Sequence, residues 1–236
     1  MTTPPPTNEG SALLAVGPPL LPVAIIHVVL YSASLFVRPI LAPGMSSLNP
    51  FGSSVAAFAF FAQHGDIARL IAFLQFGSAI PLIIFSATIV NRFHVLGLRA
   101  AGEWIAFAGG TGSALALIVT GGWSWGLAMP GALPLNAAPM LILVPFFSGG
   151  PAWSVLFGLL LLGVSMMGHA SRTLPRWLTR AGIVLGIIAE LAALTLVTKF
   201  AAPCIPIARF LGFAWMIAVG NSLTVRPVGR GPTPTS

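Results

Sequence analysis

Charge is what this sequence has least of. Eleven Lys and Arg and four Asp and Glu, 6% of the chain, are spread over 236 residues. Soluble domains carry about a quarter charged residues, because charges keep a surface wetted. So few exclude a water-soluble body of 24.4 kDa, yet they suffice for the two ends of a bundle whose flanks face lipid. Cysteine is as scarce. Cys204 stands alone, which excludes an intrachain disulfide and a cysteine framework for a metal. Acidic pairs suited to hydrolysis are missing from the apolar runs.

Motifs are missing too. There is no HExxH, no Cys/His metal spacing, no Walker loop and no GxGxxG, so the short signatures of zinc hydrolysis and nucleotide binding are absent. Gly109-Gly110-Thr111-Gly112 lies inside an apolar run, where glycines serve close packing. A haem between two histidines needs both at matched depth. His27 falls inside a span, His94 and His169 at inner ends and His64 outside. Gly77-Ser78 resembles the context of an intramembrane serine nucleophile, but no histidine is in register with it. The expectation is no metal, no cofactor, and a chain that leans away from enzymes.

What is there is apolar: 56% of residues are hydrophobic and the mean hydropathy is +0.96. The fold class expected is all-α, a polytopic transmembrane helical bundle of about six spans. The runs are Pro19 to Ala42, Ala68 to Val90, Gly102 to Leu127, Ala152 to His169, Trp177 to Thr198 and Ile205 to Leu223. Most hold the ~20 apolar residues needed to cross a ~30 Å hydrocarbon core; the fourth is near the lower limit. Residues 19–225 read as a single domain, flanked by Pro-rich disordered tails at 1–18 and 226–236. No Lys or Arg precedes Arg38, whereas a secretory signal needs a positive segment ahead of its apolar core. The first run is therefore expected to be a retained span.

Two segments fit less cleanly. Ser54 to Gln63 is apolar but short, and reads as lying on the membrane surface. Leu135 to Phe147 ends at Ser148-Gly149-Gly150-Pro151, where Gly and Pro break a helix by freeing backbone groups. It reads as a half-helix, a re-entrant segment or the upper part of one kinked helix.

Arg92, Arg99, Arg172, Arg176, Arg180, Arg226 and Arg230 fall on one side of six spans. The positive-inside rule then puts both termini in the cytoplasm. The net charge of +7 reads as topology signal and lipid headgroup contact, not as a nucleic-acid footprint, because no basic run is dense enough to track phosphates. Trp104 and Trp177 are expected at the inner interface, and Trp123, Trp125 and Trp153 at the outer one.

Polar and small residues recur at helical spacing in each span. His27, Tyr31, Ser34 and Arg38 share one face of the first, and Gln75, Ser78 and Ser86 one face of the second. Glu103, Gly110, Ser113 and Thr120 do so in the third, Ser154, Gly158 and Ser165 in the fourth. Gly182, Gly186 and Glu190 mark the fifth, and Arg209, Gly212 and Gly220 the sixth. Such stripes suit helix contacts, where small residues let backbones approach, so they are expected to point inward.

Charges inside hydrocarbon cost several kcal/mol unless paired or hydrated, which makes them candidates for function. Glu190 lies ~13 Å below the outer end of its span and Arg209 ~7 Å below its own, at 1.5 Å rise per residue. Glu190 is expected either to pair with Arg209 or Arg38 and lock helices, or to share a ligand site with them. His27, Tyr31 and Gln75 read first as interhelical hydrogen-bonding groups and second as site walls. Glu103 is expected to be solvated or paired with Arg99.

The outer half holds Arg38, Arg69, Lys199 and Arg209 against Asp66 and Glu190. The excess cation suits a carboxylate or phosphate. The ligand-binding set is thus Arg38, Arg209, Glu190, His27, Tyr31 and Gln75, near the Gly149–Pro151 break. The expected partners are membrane lipids and a small anionic or amphiphilic ligand. A partner membrane protein or a second copy, docked through Gly182 and Gly186, is the alternative, and a membrane enzyme or redox subunit the third.

The run Phe73-Leu74-Gln75-Phe76-Gly77-Ser78-Ala79-Ile80-Pro81-Leu82 resembles a signature of uncharacterised bacterial six-span membrane proteins. Gly149-Gly150-Pro151, Leu174-Pro175-Arg176-Trp177, and Pro206 with Arg209-Phe210 support it. The resemblance covers the chain from His27 to Leu223. It implies a six-helix bundle in a bacterial inner membrane and no assigned activity.

Overall fold

The structure is a computed structural model that describes residues 17–43, 54–129 and 138–223. Both terminal tails expected from the sequence lie outside the described residues, but for 17 and 18.

Every regular element described is a helix. In order they are α1 (Leu20–Leu41), α2 (Ser54–Gln63), α3 (Gly65–Val95), α4 (Ala101–Leu127), α5 (Ala138–Phe147), α6 (Trp153–Ser171), α7 (Arg176–Leu191) and α8 (Cys204–Ser222). A π turn, Ser148–Ala152, joins α5 to α6, and two short 3-10 turns lie between α7 and α8. Backbone groups in hydrocarbon must bond within their own segment, which leaves helices as the way for apolar runs of this length to cross. Six helices are long and apolar enough to do so.

Each crossing segment packs on the next, α1 on α3, α3 on α4, α4 on α6, α6 on α7 and α7 on α8, and α8 returns to α1. The ring is closed. Its innermost member is the fourth span, with 67% of its apolar window buried against 28% for the first.

That fourth span corrects the sequence reading. It runs over Leu143–Ser171, 29 residues, not from Ala152, because Gly149-Gly150-Pro151 widens the helix into a π turn without ending it. Of the three readings of Leu135 to Phe147, the described part is the upper end of one kinked helix, and the count stays at six. Trp153, expected in the outer aromatic belt, is fully buried where the turn re-enters α-helix. Trp104 and Trp177 are exposed as expected.

The polar and small stripes face inward. His27, Ser78, Ser86, Ser113, Ser154 and Ser165 are buried, with hydroxyls of Ser86 and Ser113 donating to carbonyls one turn back. Gly163 shows why small residues are needed. A Cβ there would stand 2.6 Å from the Ala106 nitrogen and 2.9 Å from its Cα, so α4 and α6 meet backbone to backbone. Gly182 and Gly186 are likewise inside. Trp215, Ser165 and Leu162 crowd them, which removes the face expected to dock a partner span.

Two polar links were not foreseen. Arg92, read as a topology signal, is 7% exposed. It donates to the carbonyls of Leu223 and Pro18, and so ties the last turn of α3 to the start of α1 and the end of α8. Glu103 is 2% exposed and stands 2.8 Å from His94, not with Arg99 or in solvent. Both lie at the end of the bundle where Arg99, Arg172, Arg176 and Arg180 also lie, hereafter the basic end. The opposite end is the distal end.

Gly163→Ala is expected to lower the unfolding midpoint in detergent, by a cost of about 1–3 kcal/mol for overpacking; an unchanged midpoint would deny the backbone contact. Arg92→Ala is expected to cost about 2–3 kcal/mol, as charge-assisted bonds to two carbonyls are lost, and to speed proteolysis at both chain ends.

Candidate functional site

At the distal end a cleft of about 260 Å³ opens among α1, α2, α3, α4, the π turn and α8. Its position follows from the π turn. Trp153 N–H bonds to Ser148 and Gly150 and passes over Gly149, the acceptor an α-helix would use. Pro151 has no N–H to offer at all. The Gly149 carbonyl turns instead to side chains of other helices. The Tyr31 hydroxyl donates to it at 3.2 Å from α1, and Arg209 Nη2 at 2.5 Å from α8.

Arg209 is held from three sides. Its guanidinium carbon stands 5.1 Å from the ring centroids of both Tyr31 and Trp153. Ring faces attract a cation, at about 2 kcal/mol when desolvated. Trp153 stacks on Phe157 at 4.7 Å, and Phe213 meets Tyr31 and Trp153 edge-on, so the aromatic floor is rigid. Arg209 Nε remains buried without a partner.

The rest of the cleft is mixed. Thr120 and Ser124 come from α4, Gln75 from α3. The Thr120 and Ser148 hydroxyls stand 2.8 Å apart. Gln75 Oε1 is buried with no hydrogen bond. Phe60 and Phe61 of α2 close the top, packed on Ala68 and Leu127. The short helix read as a surface element is thus a cap over the cleft. A Cβ on Gly149 would meet Thr120 Cγ2 at 2.9 Å, so the glycine lets Thr120 sit close against the π turn.

Of the six residues singled out by sequence, Tyr31, Gln75 and Arg209 line the cleft. Arg38 lies next to it, its guanidinium carbon 5.5 Å from the Phe60 ring that caps it. His27 lies beneath the wall. It is fully buried, its Nδ1 2.8 Å from the Ser78 carbonyl and its ring 5.9 Å from Tyr31. That is the interhelical link expected of it.

Glu190 does not join them. No ion pair links it to Arg209 among the described residues, and Arg38 points to Phe60. Glu190 faces α6, 3.0 Å from where a Cβ on Gly158 would stand, and Oε1 has no hydrogen-bond partner. The expected Glu190–arginine lock is therefore not formed. Among the described residues the one acid paired with a distal cation is Asp66, which meets Arg69 three residues on. Among the described residues no acidic side chain lines the cleft.

Thr120 and Gly149 carried sequence signals, a stripe position and a helix irregularity. Phe60, Phe61 and Phe146 carried none, since nothing in an apolar run marks which phenylalanine meets a cavity.

No protein-family model, no curated protein and no solved structure matches this chain. What the chain shares with a multi-pass membrane protein is carried by its own six apolar helices.

Tyr31→Phe tests the role of the Gly149 carbonyl. Arg209 remains as a donor, so the loss expected is about 0.5–1.5 kcal/mol, the net worth of one hydrogen bond. Loss of folding would mean that Tyr31, not Arg209, carries the turn.

Proposed function

We propose that this membrane protein binds, and passes across or along the bilayer, a small anionic or amphiphilic molecule through the distal cleft. One observation carries the reading. A guanidinium lies in a partly buried cleft that no carboxylate of the described residues lines. Buried cations are otherwise paired or absent. A carboxylate or phosphate would complete the unused donor of Arg209 in a bidentate bond. Phe60, Phe61 and Ile71 offer apolar walls to its other end. The volume of about 260 Å³ suits a small ligand. Irregular backbone at membrane depth is tolerated where it lines a cavity, and the π turn does so.

The setting belongs to the same proposal: a bacterial cytoplasmic membrane, with both termini inside. Support for the orientation comes from the arginine-rich loops at the basic end. The cleft would then face outward.

Octanoate binding to purified protein in uncharged detergent tests this. Arg209→Gln keeps one donor toward Gly149 and removes the charge. It is expected to weaken octanoate by about thirtyfold or more, since losing one partner of a desolvated charge pair costs about 2 kcal/mol or more. Octanol, with the same chain and no charge, should bind the two forms alike. Equal octanoate affinity in a folded Arg209→Gln protein would reject the site, as would a parent protein that binds octanol as tightly as octanoate.

A further inference from the structure

The basic end holds a second cavity, of about 670 Å³, where α6 hands over to α7. Arg172, Arg176, Arg180 and His169 line it, and among the described residues no acid does. Arginines in a loop serve topology whatever they surround, so their presence alone decides nothing. What lies beside them does. A groove of about 520 Å³ runs up the outer surface between α7 and α8, and Arg180 borders both spaces.

The groove is made for an alkyl chain. Its walls are Trp177, Val184 and Leu211, all exposed. Its floor is Ala214, Ala218 and the buried ring of Trp215. Small side chains at two positions of one α8 face give it depth. Trp215 Nε1 already donates to the Leu178 carbonyl at 2.8 Å, so the floor presents carbon alone. From Ala218 to Leu211 the groove climbs about 10 Å at 1.5 Å per residue. Trp177 stands 64% exposed at its mouth, the place where an amphipathic ring marks the membrane–water boundary.

We propose that the basic end binds an anionic phospholipid, its phosphate among Arg172, Arg176 and Arg180 and one acyl chain in the α7–α8 groove. Guanidinium forks match phosphate oxygens two by two. Basic pockets between membrane helices suit anionic headgroups. A free phosphate would satisfy the arginines but leave the groove without an occupant; a zwitterionic lipid would fill the groove but bring an ammonium that offsets its phosphate among three cations. The junction at Arg180 fits a molecule that carries both parts. The site is independent of the distal cleft, which lies at the other end of the bundle.

The full chain in uncharged detergent, mixed with long-chain phosphatidylglycerol and phosphatidylcholine and read by native mass spectrometry, tests it. Phosphatidylglycerol should be retained over phosphatidylcholine by on the order of tenfold, a difference of about 1.4 kcal/mol. The Arg176→Gln, Arg180→Gln double variant should erase that preference. Ala214→Leu, on the exposed face of α8, fills the groove without touching an arginine. It should reduce phosphatidylglycerol retention several-fold and leave binding of inorganic phosphate unchanged. Equal retention of the two lipids by the parent, or an unaltered preference in the double variant, would overturn the site. So would displacement of phosphatidylglycerol by an equal concentration of inorganic phosphate, or an Ala214→Leu protein that retains the lipid in full.

Discussion

The Gly149 carbonyl is the group on which the rest of this structure turns. In water a carbonyl freed from a helix ladder finds solvent. In hydrocarbon it must find a donor within the protein or cost several kcal/mol. Gly149, Gly150 and Pro151 free it by forcing a π turn in the innermost span. Tyr31 and Arg209 answer it from two other helices. A backbone irregularity in one span thereby fixes the relative positions of three. It also explains how a guanidinium comes to lie below the surface of an apolar bundle. Arg209 is held there by a dipole and two ring faces.

The two ends of the bundle are organised by different polar links. At the basic end Arg92 gathers the first and last spans by their carbonyls, and His94 meets Glu103. The Arg92 links join elements far apart in the chain, and Arg92 and Glu103 are both buried. At the distal end the ring is joined less completely. The short α2 and the upper α5 pack over it, and the space they leave is the cleft. The distal half of the ring is therefore hollow between its spans, while the basic half is tied across them and keeps its open space at the α6–α7 handover.

Much of the fold was legible in the sequence, and for a definite reason. Apolar runs of membrane length and the inward stripes of small residues are set by the solvent, so a period of three and four suffices to find them. His27, Tyr31, Ser78 and Ser165 are buried as that period demands. What was not legible depended on pairings between helices. Trp153 looks the same in sequence whether it faces lipid or core. Arg92 and Glu103 sit at span ends, where solvent exposure is the ordinary outcome. Glu190 and Arg209 share the outer half, but depth along a helix says nothing of azimuth, and they face different neighbours. Half of the site residues named from sequence line the cleft because a cavity gathers polar groups from every wall. The aromatic cap was missed because α2 is too short to show a periodicity.

The manner in which a buried cation is satisfied separates a lock from a site. Asp66 neutralises Arg69: the pair has no remaining charge to offer, and its field falls away within a few ångströms. Arg209 is satisfied by a carbonyl and by the faces of Tyr31 and Trp153. Dipoles and quadrupoles lower the energy of the cation without cancelling it. In a low-dielectric cleft the uncancelled charge acts on an anion more strongly than it would in water. Had Glu190 turned toward α8, the same arginine would be a strut. Its turn toward Gly158 instead leaves the cleft electropositive, and a chain with four acidic residues in all has little else with which to fill that role.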